Sequence, residues 1–333
     1  MEIVFYDPET PLAYDLATLE QQGLGGTEAT VIRIAHALKK FYKIYIAQHC
    51  RQKDEVIDDV HYISFASAEK IKPTHVVLLR QYRSVEAVAE LYPQAKKFLW
   101  LHNMPSAGLY EQRKALNQFE IIAVSNFHRE AIRKRLKGKW WQAAFNDNNQ
   151  IPIHTIYNPI AALEPNDTPY NPHQLIFTSS PHKGLAQTLK IFTKLRHYFP
   201  EYSLLIANPG YAAMNITLPP QACFLGVLPH HQLIQHLRES FCVFYPQQER
   251  METFGLVYAE ANAVGTPVLA HDFGAASEVL SNPNQLVNAK NFSEILNKIE
   301  EWRVQRPVLQ ARKEFALERV AQEWRYLINE QRF

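Results

Sequence analysis

Two glutamates in the stretch 246–278 are spaced in a way that indicates a ligand site. Glu252 and Glu260 stand eight positions apart, and Gly255 lies between them in the run 254–257. A helix that begins at this run would aim the N–H groups of its first turn at a ligand, and phosphate groups bind well there. A glycine at that point lets the ligand approach the backbone closely. Two carboxylates beside a phosphate site can hydrogen-bond hydroxyl pairs at both ends of an elongated ligand, which indicates a nucleotide-sugar.

The elements that must position these residues are predicted on either side. The buried apolar run 241–245 predicts a strand that leads into the segment, and the run 266–270 predicts a strand that leaves it. The helical pattern between them begins near 253–256, so we expect Glu252 just outside the helix and Glu260 about two turns inside it. Open sheets built from such units bind ligands at the carboxyl ends of their parallel strands.

The segment resembles the donor-site signature of retaining glycosyltransferases of the GT-B fold, of glycosyltransferase family 4 in particular. That signature has a glutamate, a Phe-Gly pair, a second glutamate after seven intervening residues, then Gly-Thr-Pro-Val and a Gly…Glu tail. The matching residues are Glu252, Phe254-Gly255, Glu260, Gly265-Thr266-Pro267-Val268, Gly274 and Glu278. The two glutamates alone would be weak evidence, because surface helices are rich in glutamate, but the flanking residues make the pattern specific. The alternative is a solvated helix face beside a short buried strand.

The resemblance implies an α/β protein of the GT-B fold, with two Rossmann-like parallel-sheet domains facing across a cleft. An N-terminal, acceptor-side domain is expected over 1–160 and a donor domain over 173–315. The segment 161–172 contains three prolines and is expected to link them. Residues 316–333 are expected to form a C-terminal helix that packs back on the N-terminal domain.

The resemblance also implies site residues elsewhere in the chain. Lys183, followed by Gly184, stands where the family has a Lys-Gly that binds the donor diphosphate, and a surface lysine at a helix start is the alternative. His102 ends the predicted strand 98–102, where the family often has a histidine beside the transferred sugar, and a partly buried strand-end histidine is the alternative. The expected catalytic residues are therefore Glu252, Lys183 and His102. The expected nucleotide contacts are Gly25, Gly26, Gly226, Val227, Leu228, Phe254, Gly255, Leu256, Val257 and Glu260.

One position departs from the family pattern. The family has an arginine five positions before the Lys-Gly lysine, and this chain has Thr178 there. Both cations normally neutralise the leaving diphosphate, so either the missing charge comes from another residue or the rate of transfer is lower. Arg250 and Arg80 are candidates.

The glycine-rich turn near the N-terminus belongs to a predicted strand–helix–strand unit. The strand 2–6 precedes it, and the strand 43–48 follows a helix with apolar residues at helical spacing. A tight turn explains the Gly25-Gly26 pair equally well, although the family's first loop meets the donor diphosphate at this place. The dinucleotide-binding fingerprint G-x-G-x-x-G fails, because its third glycine position holds Glu28.

Composition excludes several classes of protein. A chain of 333 residues with 47% hydrophobic and 20% charged residues predicts a globular protein of about two domains. Three distant cysteines, Cys50, Cys223 and Cys242, predict neither a disulfide framework nor a metal site. A net charge of +2 is too small to predict nucleic-acid binding.

Location and cofactors are predicted from what the sequence lacks. No apolar run is long enough to span a membrane, and no charged leader indicates a signal peptide, so we expect a cytoplasmic protein. No Asp-x-Asp pair is present to hold a divalent cation. We therefore expect no metal and no other cofactor, the nucleotide-sugar being a substrate.

A basic segment, 128–141, follows the predicted strand 121–124 and its capping residue Ser125. Six basic residues accompany a single glutamate, and two tryptophans close the segment. Basic residues beside tryptophans are typical of a peripheral contact with an anionic membrane, or with an acidic acceptor. An ordinary solvated helix face is an equally good interpretation.

The predicted reaction moves a sugar from a nucleoside diphosphate, UDP being favoured, to a hydroxyl of a glycan or lipid-linked acceptor. By resemblance, the reaction retains the anomeric configuration, needs no metal and serves cell-surface polysaccharide or lipopolysaccharide synthesis. Two other functions remain open: a nucleotide-sugar epimerase of the same fold, and a non-catalytic module that binds nucleotides or glycans.

Overall fold

Two compact units make up the chain in a computed structural model, which describes residues 1–138, 151–164, 168–208 and 216–330. The first unit consists of Met1–Leu16, Thr30–Pro159 and Leu317–Phe333, and the second of Ala17–Ala29 and Ile160–Ala316. Each unit contains one sheet whose strands are connected mainly by helices. The predicted α/β class with two parallel-sheet units is therefore confirmed.

The first unit is built on an eight-stranded sheet. Its strands are β1 (Glu2–Asp7), β2 (Lys43–Gln48), β3 (Glu55–Ile57), β4 (Val60–Ser64), β5 (His75–Leu79), β6 (Lys96–Trp100), β7 (Phe119–Ala123) and β8 (Ile153–Thr155). They lie in the order β3-β4-β2-β1-β5-β6-β7-β8. All neighbours are parallel except the hairpin β3–β4. The central strands are buried along their whole length and are mainly apolar, as in sheets covered on both faces.

The second unit is built on a six-stranded, wholly parallel sheet. Its strands are β9 (Asn171–Thr178), β10 (Ser203–Asn208), β11 (Ala222–Val227), β12 (Ser240–Tyr245), β13 (Val268–His271) and β14 (Leu286–Val287). They lie in the order β11-β10-β9-β12-β13-β14. The chain thus adds strands to one side of β9 and then to the other. The connections after β9 and β12 therefore diverge, which leaves a crevice at the carboxyl ends of these two strands.

Helices connect most of these strands. They are α1 (Leu16–Gln21), α2 (Gly26–Leu38), α3 (Phe65–Ala68), α4 (Val85–Leu91), α5 (Ala107–Glu111), α6 (Arg113–Leu116), α7 (Asn126–Leu136), α8 (Leu185–Leu195), α9 (His230–Glu239), α10 (Leu256–Ala263), α11 (Ala276–Val279), α12 (Phe292–Val304) and α13 (Leu317–Asn329). Short 3₁₀ turns occur at Tyr82–Ser84, Pro283–Gln285 and Lys313–Phe315. Helix α8 buries Leu189, Phe192 and Leu195 on one face.

An aromatic cluster ties the last helix into the first unit. The Trp324 ring of α13 lies 4.7 Å from that of Trp100 on β6 and 5.9 Å from that of Phe5 on β1. All three side chains are fully buried. Aromatic burial on this scale is a major contribution to the stability of a core.

The structure differs from the sequence prediction in three places. Residues 17–29, expected in the N-terminal domain, group with the second unit. The expected linker 161–172 ends inside a strand, because β9 begins at Asn171. The C-terminal helix expected over 316–333 begins at Leu317, after a 3₁₀ turn, and ends at Asn329. Among the residues that the structure describes, no helix combines the length and apolar character needed to span a bilayer.

Candidate functional site

An ion pair stands at the carboxyl edge of the second sheet. Lys183 Nζ lies 2.9 Å from Glu252 Oε2 and 3.1 Å from Oε1. Lys183 follows β9 and Glu252 follows β12, so the pair lies at the crevice between the two diverging connections. The Lys183 side chain is one-third exposed, whereas that of Glu252 is 9% exposed. The structure therefore brings together two of the predicted site residues.

Gly184 places Lys183 beside the loop that follows β12. Its φ of +85° is a left-handed conformation at the cap of α8, which favours glycine. A Cβ at this position would lie 2.4 Å from the Cβ of the buried Gln247. The Lys-Gly pair thus serves two needs, because the lysine supplies a charge and the glycine allows two loops to touch.

The Gln247 side chain shapes the loop that carries Glu252. Its Oε1 accepts from the backbone N–H groups of Glu249 and Arg250, both at 2.9 Å, and its Nε2 donates to Arg250 O at 2.6 Å. Gln248 N also donates to Gln187 Oε1 on α8. A buried amide with both ends satisfied fixes the turn without a regular element.

A third loop, after β13, supports the backbone of Glu252. Ala275 N donates to Glu252 O at 3.0 Å. Gly274 has a φ of +65°, and a Cβ there would lie 2.9 Å from that same oxygen. The glycine of the Gly…Glu tail therefore allows close packing against the backbone of Glu252.

Tyr245, the last residue of β12, is a site residue that the sequence analysis did not identify. Its hydroxyl lies 2.8 Å from Glu252 Oε1 and 3.4 Å from Ser179 Oγ. Burial, and after it the negative charge of Glu252, raises the pKa of Tyr245 well above its usual value. The hydroxyl therefore stays protonated and donates to the carboxylate. The sequence feature that could have identified Tyr245 is its position at the end of the strand that leads to the signature.

The start of α10 has the geometry expected for a phosphate site. Gly255 caps the helix at a φ of +87°, and a Cβ there would lie 2.6 Å from the Tyr258 ring. The first N–H groups of a helix have no acceptor within the helix itself. A Cβ on Gly26 would lie 2.9 Å from Leu256 Cδ1, so the glycine-rich turn meets the helix start. Buried Phe254 packs edge-on against Phe315, and Val257 follows in the first turn.

The second glutamate of the signature has a histidine partner. Glu260 is the fifth residue of α10, one turn in rather than two, and is 6% exposed. Its Oε1 lies 2.8 Å from Nε2 of His230, the first residue of α9. Sequence spacing gave no signal for this contact, because 30 residues separate the partners.

A small cavity of about 80 Å³ lies beside this pair. It is lined by the turn after α1, the ends of β9 and β10, and the start of α9: Leu19, Gln22, Gly23, Leu24, Ala29, Thr178, Ala207, Asn208, Leu228, His230 and Leu233. Ligand pockets usually have volumes of roughly 300–1,000 Å³. The cavity therefore does not itself hold a nucleoside, although it brings residues 17–29 next to the strand ends of the second sheet.

The other predicted nucleotide contacts lie at the end of β11. Gly226 has a φ of +79° with no heavy atom near the place of a Cβ, Val227 is 48% exposed, and Leu228 lines the cavity. Gly25 lies at the start of α2, where its carbonyl oxygen accepts a hydrogen bond from Ala29 N at 3.1 Å.

Thr178 stands where the family has an arginine. Thr178 ends β9, and its Oγ1 is buried without a hydrogen-bond partner among the described residues. Nearby, partial burial lowers the pKa of His182, and the charges of Lys183 and Arg250 lower it further. Arg250 therefore adds positive potential at this edge. Arg80 belongs to the first unit, where its Nη2 donates to the buried Asp7 at 2.7 Å.

His102 belongs to the first unit, two residues beyond β6, and is 8% exposed. Burial, followed by the charge of Arg80, lowers its pKa well below the usual value. Its neighbour His128, capped into α7 by Ser125, has its pKa lowered by burial to about 4. His128 Nε2 lies 3.0 Å from Asn103 O and donates to it. Both imidazoles are therefore neutral near pH 7.

The basic segment is only partly described. Helix α7 exposes Arg133, Lys134 and Arg135, and Arg133 pairs with Glu130 at 2.6 Å. Lys139, Trp140 and Trp141, the remaining part of the predicted membrane contact, lie outside the described residues.

Comparisons with known proteins identify the fold. Residues 176–318 match the family described as Glycosyl transferases group 1. The structure resembles sucrose-phosphate synthase from Thermosynechococcus elongatus, with a TM-score of 0.73 and 14% identity over 98% of both chains. It resembles a glycosyltransferase from Rickettsia africae, with a TM-score of 0.67 and 15% identity over 98% of both chains. A search of curated proteins by sequence found no match.

A third similar structure is the UDP-forming α,α-trehalose-phosphate synthase from Burkholderia xenovorans, in complex with glucose-6-phosphate. Its TM-score is 0.67, with 9% identity over 99% of this chain and 100% of that chain. Identities this low establish the fold and not the activity. The chain has the GT-B fold.

Gly184→Ala is expected to destabilise the second unit. The left-handed φ costs an alanine roughly 1–2 kcal/mol, and the clash with Gln247 adds an overpacking cost of about 1–3 kcal/mol. Denaturant unfolding measures the loss. Gly265→Ala is the matched control, because Gly265 has a φ of +77° and nothing near the place of a Cβ, so it should show only the first cost. Equal losses in the two variants would contradict the packing of Gly184 on Gln247.

Acid is expected to destabilise the protein through its buried histidines. The unfolded chain binds a proton at His128 below about pH 6.5, whereas the folded protein does so only near its lowered pKa of about 4. The unfolded state thus binds more protons in this window, and the free energy of unfolding falls as the pH falls. His128→Gln should reduce the slope by up to about 1.4 kcal/mol per pH unit. His49→Gln, at an exposed histidine, is the matched control for the substitution itself, and an unchanged slope in His128→Gln would refute the assignment.

Proposed function

We propose that this protein is a retaining glycosyltransferase that takes a sugar from a nucleoside-diphosphate sugar. The observation that carries the proposal is the Lys183–Glu252 pair at the carboxyl edge of the second sheet, beside the start of α10. A phosphate-binding cation and a hydroxyl-binding carboxylate stand side by side there, as the donor of such an enzyme requires. The match of residues 176–318 to group 1 transferases supports the same assignment.

Transfer is limited by the charge that develops on the departing diphosphate. Lys183 and the N–H groups at the start of α10 would stabilise that charge. Arg250 is proposed to supply part of the charge that Thr178 cannot. Preorganised donors of this kind each contribute roughly 2–4 kcal/mol to transition-state stabilisation.

The two signature glutamates are proposed to bind hydroxyls. Glu252 would hold those of the transferred sugar, and Glu260 those of the ribose, with His230 orienting the Glu260 carboxylate. His102, neutral and in the first unit, is proposed as a further contact to a sugar hydroxyl. Retention would follow from attack by the acceptor on the face of the leaving group, whose phosphate takes the acceptor's proton. No enzyme nucleophile is then required.

UDP is the favoured nucleotide. The trehalose-phosphate synthase of similar structure is described as UDP-forming, which supports this choice. The proposed acceptor is a hydroxyl of a glycan or lipid-linked saccharide, in polysaccharide or lipopolysaccharide synthesis on the cytoplasmic side of the membrane. The exposed basic face of α7 supports a contact with an anionic membrane surface.

Calorimetric titration with UDP, GDP and NAD⁺ in EDTA tests the donor class and the predicted independence from metal. We expect one nucleoside diphosphate to bind and Lys183→Ala to weaken it roughly 10- to 100-fold, because a charge-assisted bond is lost. Lys190→Ala, at an exposed lysine of α8, is the control. Failure of both diphosphates to bind would move the protein to the class of glycan-binding modules. A strict need for Mg²⁺ would refute the metal-independent mechanism.

Glu252→Gln is expected to separate binding from turnover. The neutral amide releases Lys183 from its ion pair, so UDP should bind several-fold more tightly than to the wild type. Transfer should fall by at least about 100-fold, because the sugar hydroxyls lose a charged acceptor. Glu249→Gln, at an exposed glutamate of the same loop, removes the same charge and should change neither property. Weaker binding of UDP to Glu252→Gln would contradict the proposed competition.

A further inference from the structure

The Glu252 carboxylate depends on two donors, and one of them has a second task. Among the residues that the structure describes, Lys183 and Tyr245 are the donors to this carboxylate. Glu252 is only 7% exposed, so water replaces a lost donor poorly. Under the proposed function, Lys183 also binds the donor diphosphate. Nucleotide binding therefore draws one donor away from a buried negative charge.

Tyr245 is built to remain when Lys183 turns to the phosphate. The residue is 1% exposed, and its ring is held between those of Phe177, at 5.5 Å, and Tyr258, at 5.8 Å. The ring lies at the end of β12, next to β9 in the sheet, and the diphosphate is not expected to displace it. The hydroxyl has one proton, and the contact at 2.8 Å to Glu252 is shorter than the 3.4 Å to Ser179.

We propose that Tyr245 is a positioning residue that keeps Glu252 oriented and hydrogen-bonded while Lys183 moves from the carboxylate to the donor diphosphate. The proposal rests on the proposed function, because it requires Lys183 to bind phosphate. It explains why a buried tyrosine hydroxyl stands beside an ion pair that already satisfies both carboxylate oxygens. It also implies that nucleotide binding and the sugar subsite are coupled through one carboxylate.

A double-mutant cycle with UDP binding as the readout tests this coupling. Tyr245→Phe keeps the ring and removes the donor, so Glu252 would have no described donor once Lys183 binds phosphate. We expect UDP, or GDP if that diphosphate is the one that binds, to bind about tenfold more weakly. In the Glu252→Gln background no buried charge needs the donor, and adding Tyr245→Phe should change the affinity less than about twofold.

The control separates the effect of removing this particular hydroxyl from the effect of removing any buried tyrosine hydroxyl. Tyr202 is fully buried at the amino end of β10, and its hydroxyl has no hydrogen-bond partner among the described residues. Tyr202→Phe should leave UDP affinity unchanged in both backgrounds. Thermal unfolding shows whether each variant folds.

The outcomes separate the two proposals. If neither diphosphate binds the wild type, the proposed function fails first. A second outcome is that a diphosphate binds and that Lys183→Ala weakens this binding. If Tyr245→Phe then changes the diphosphate affinity equally in the wild-type and Glu252→Gln backgrounds, Tyr245 has a structural role only. An effect confined to the Glu252 background establishes the positioning role.

Discussion

A carboxylate that is almost withdrawn from water must be surrounded by donors, and this requirement organises the second unit. Glu252 has its charge balanced by Lys183 and its position set by Tyr245. Loops after three different strands meet there, because the loop of Glu252 touches Gly184 on one side and Gly274 on the other. An ion pair with one buried partner contributes little net stability, since desolvation offsets most of its attraction. Under the proposed function, the pair holds two opposite charges where the donor can engage both.

The sheet order explains why this arrangement occurs where it does. Strands β9 and β12 are neighbours in the sheet although four elements, α8, β10, β11 and α9, separate them along the chain. Their connections leave in opposite directions, so groups that follow them face an opening rather than another connection. The sheet of the first unit has a similar order around β1 and β5, and there Asp7 and Arg80 form the corresponding pair. Each unit thus places opposite charges at the same point of its own sheet.

Local patterns predicted much of this architecture. Apolar runs with short polar interruptions identified most of the strands, because buried parallel strands are continuous in hydrophobicity. Glu252 and Gly255 were predicted from spacing and flanking residues, and Lys183 from the family resemblance, since each belongs to a local pattern of a few positions.

Contacts between distant parts of the chain were not predictable in the same way. The bonds of Tyr245 with Glu252 and of His230 with Glu260 depend on how strands and helices pack, and neither leaves a periodic signal. Residues 17–29 illustrate the same limit, since sequence order assigned them to the first domain while their contacts belong to the second unit. The buried amide of Gln247 is a third case, because a glutamine in a loop ordinarily indicates exposure.

The position of Trp324 has a consequence for synthesis of the chain. This side chain completes the core around Phe5 and Trp100, yet the ribosome makes it only after every residue of the second unit. Domains usually fold in the order in which they emerge. Here synthesis of the second unit is complete before that of the first unit, although synthesis of the first unit begins earlier. Until α13 emerges, Phe5 and Trp100 lack the ring that covers them in the folded protein.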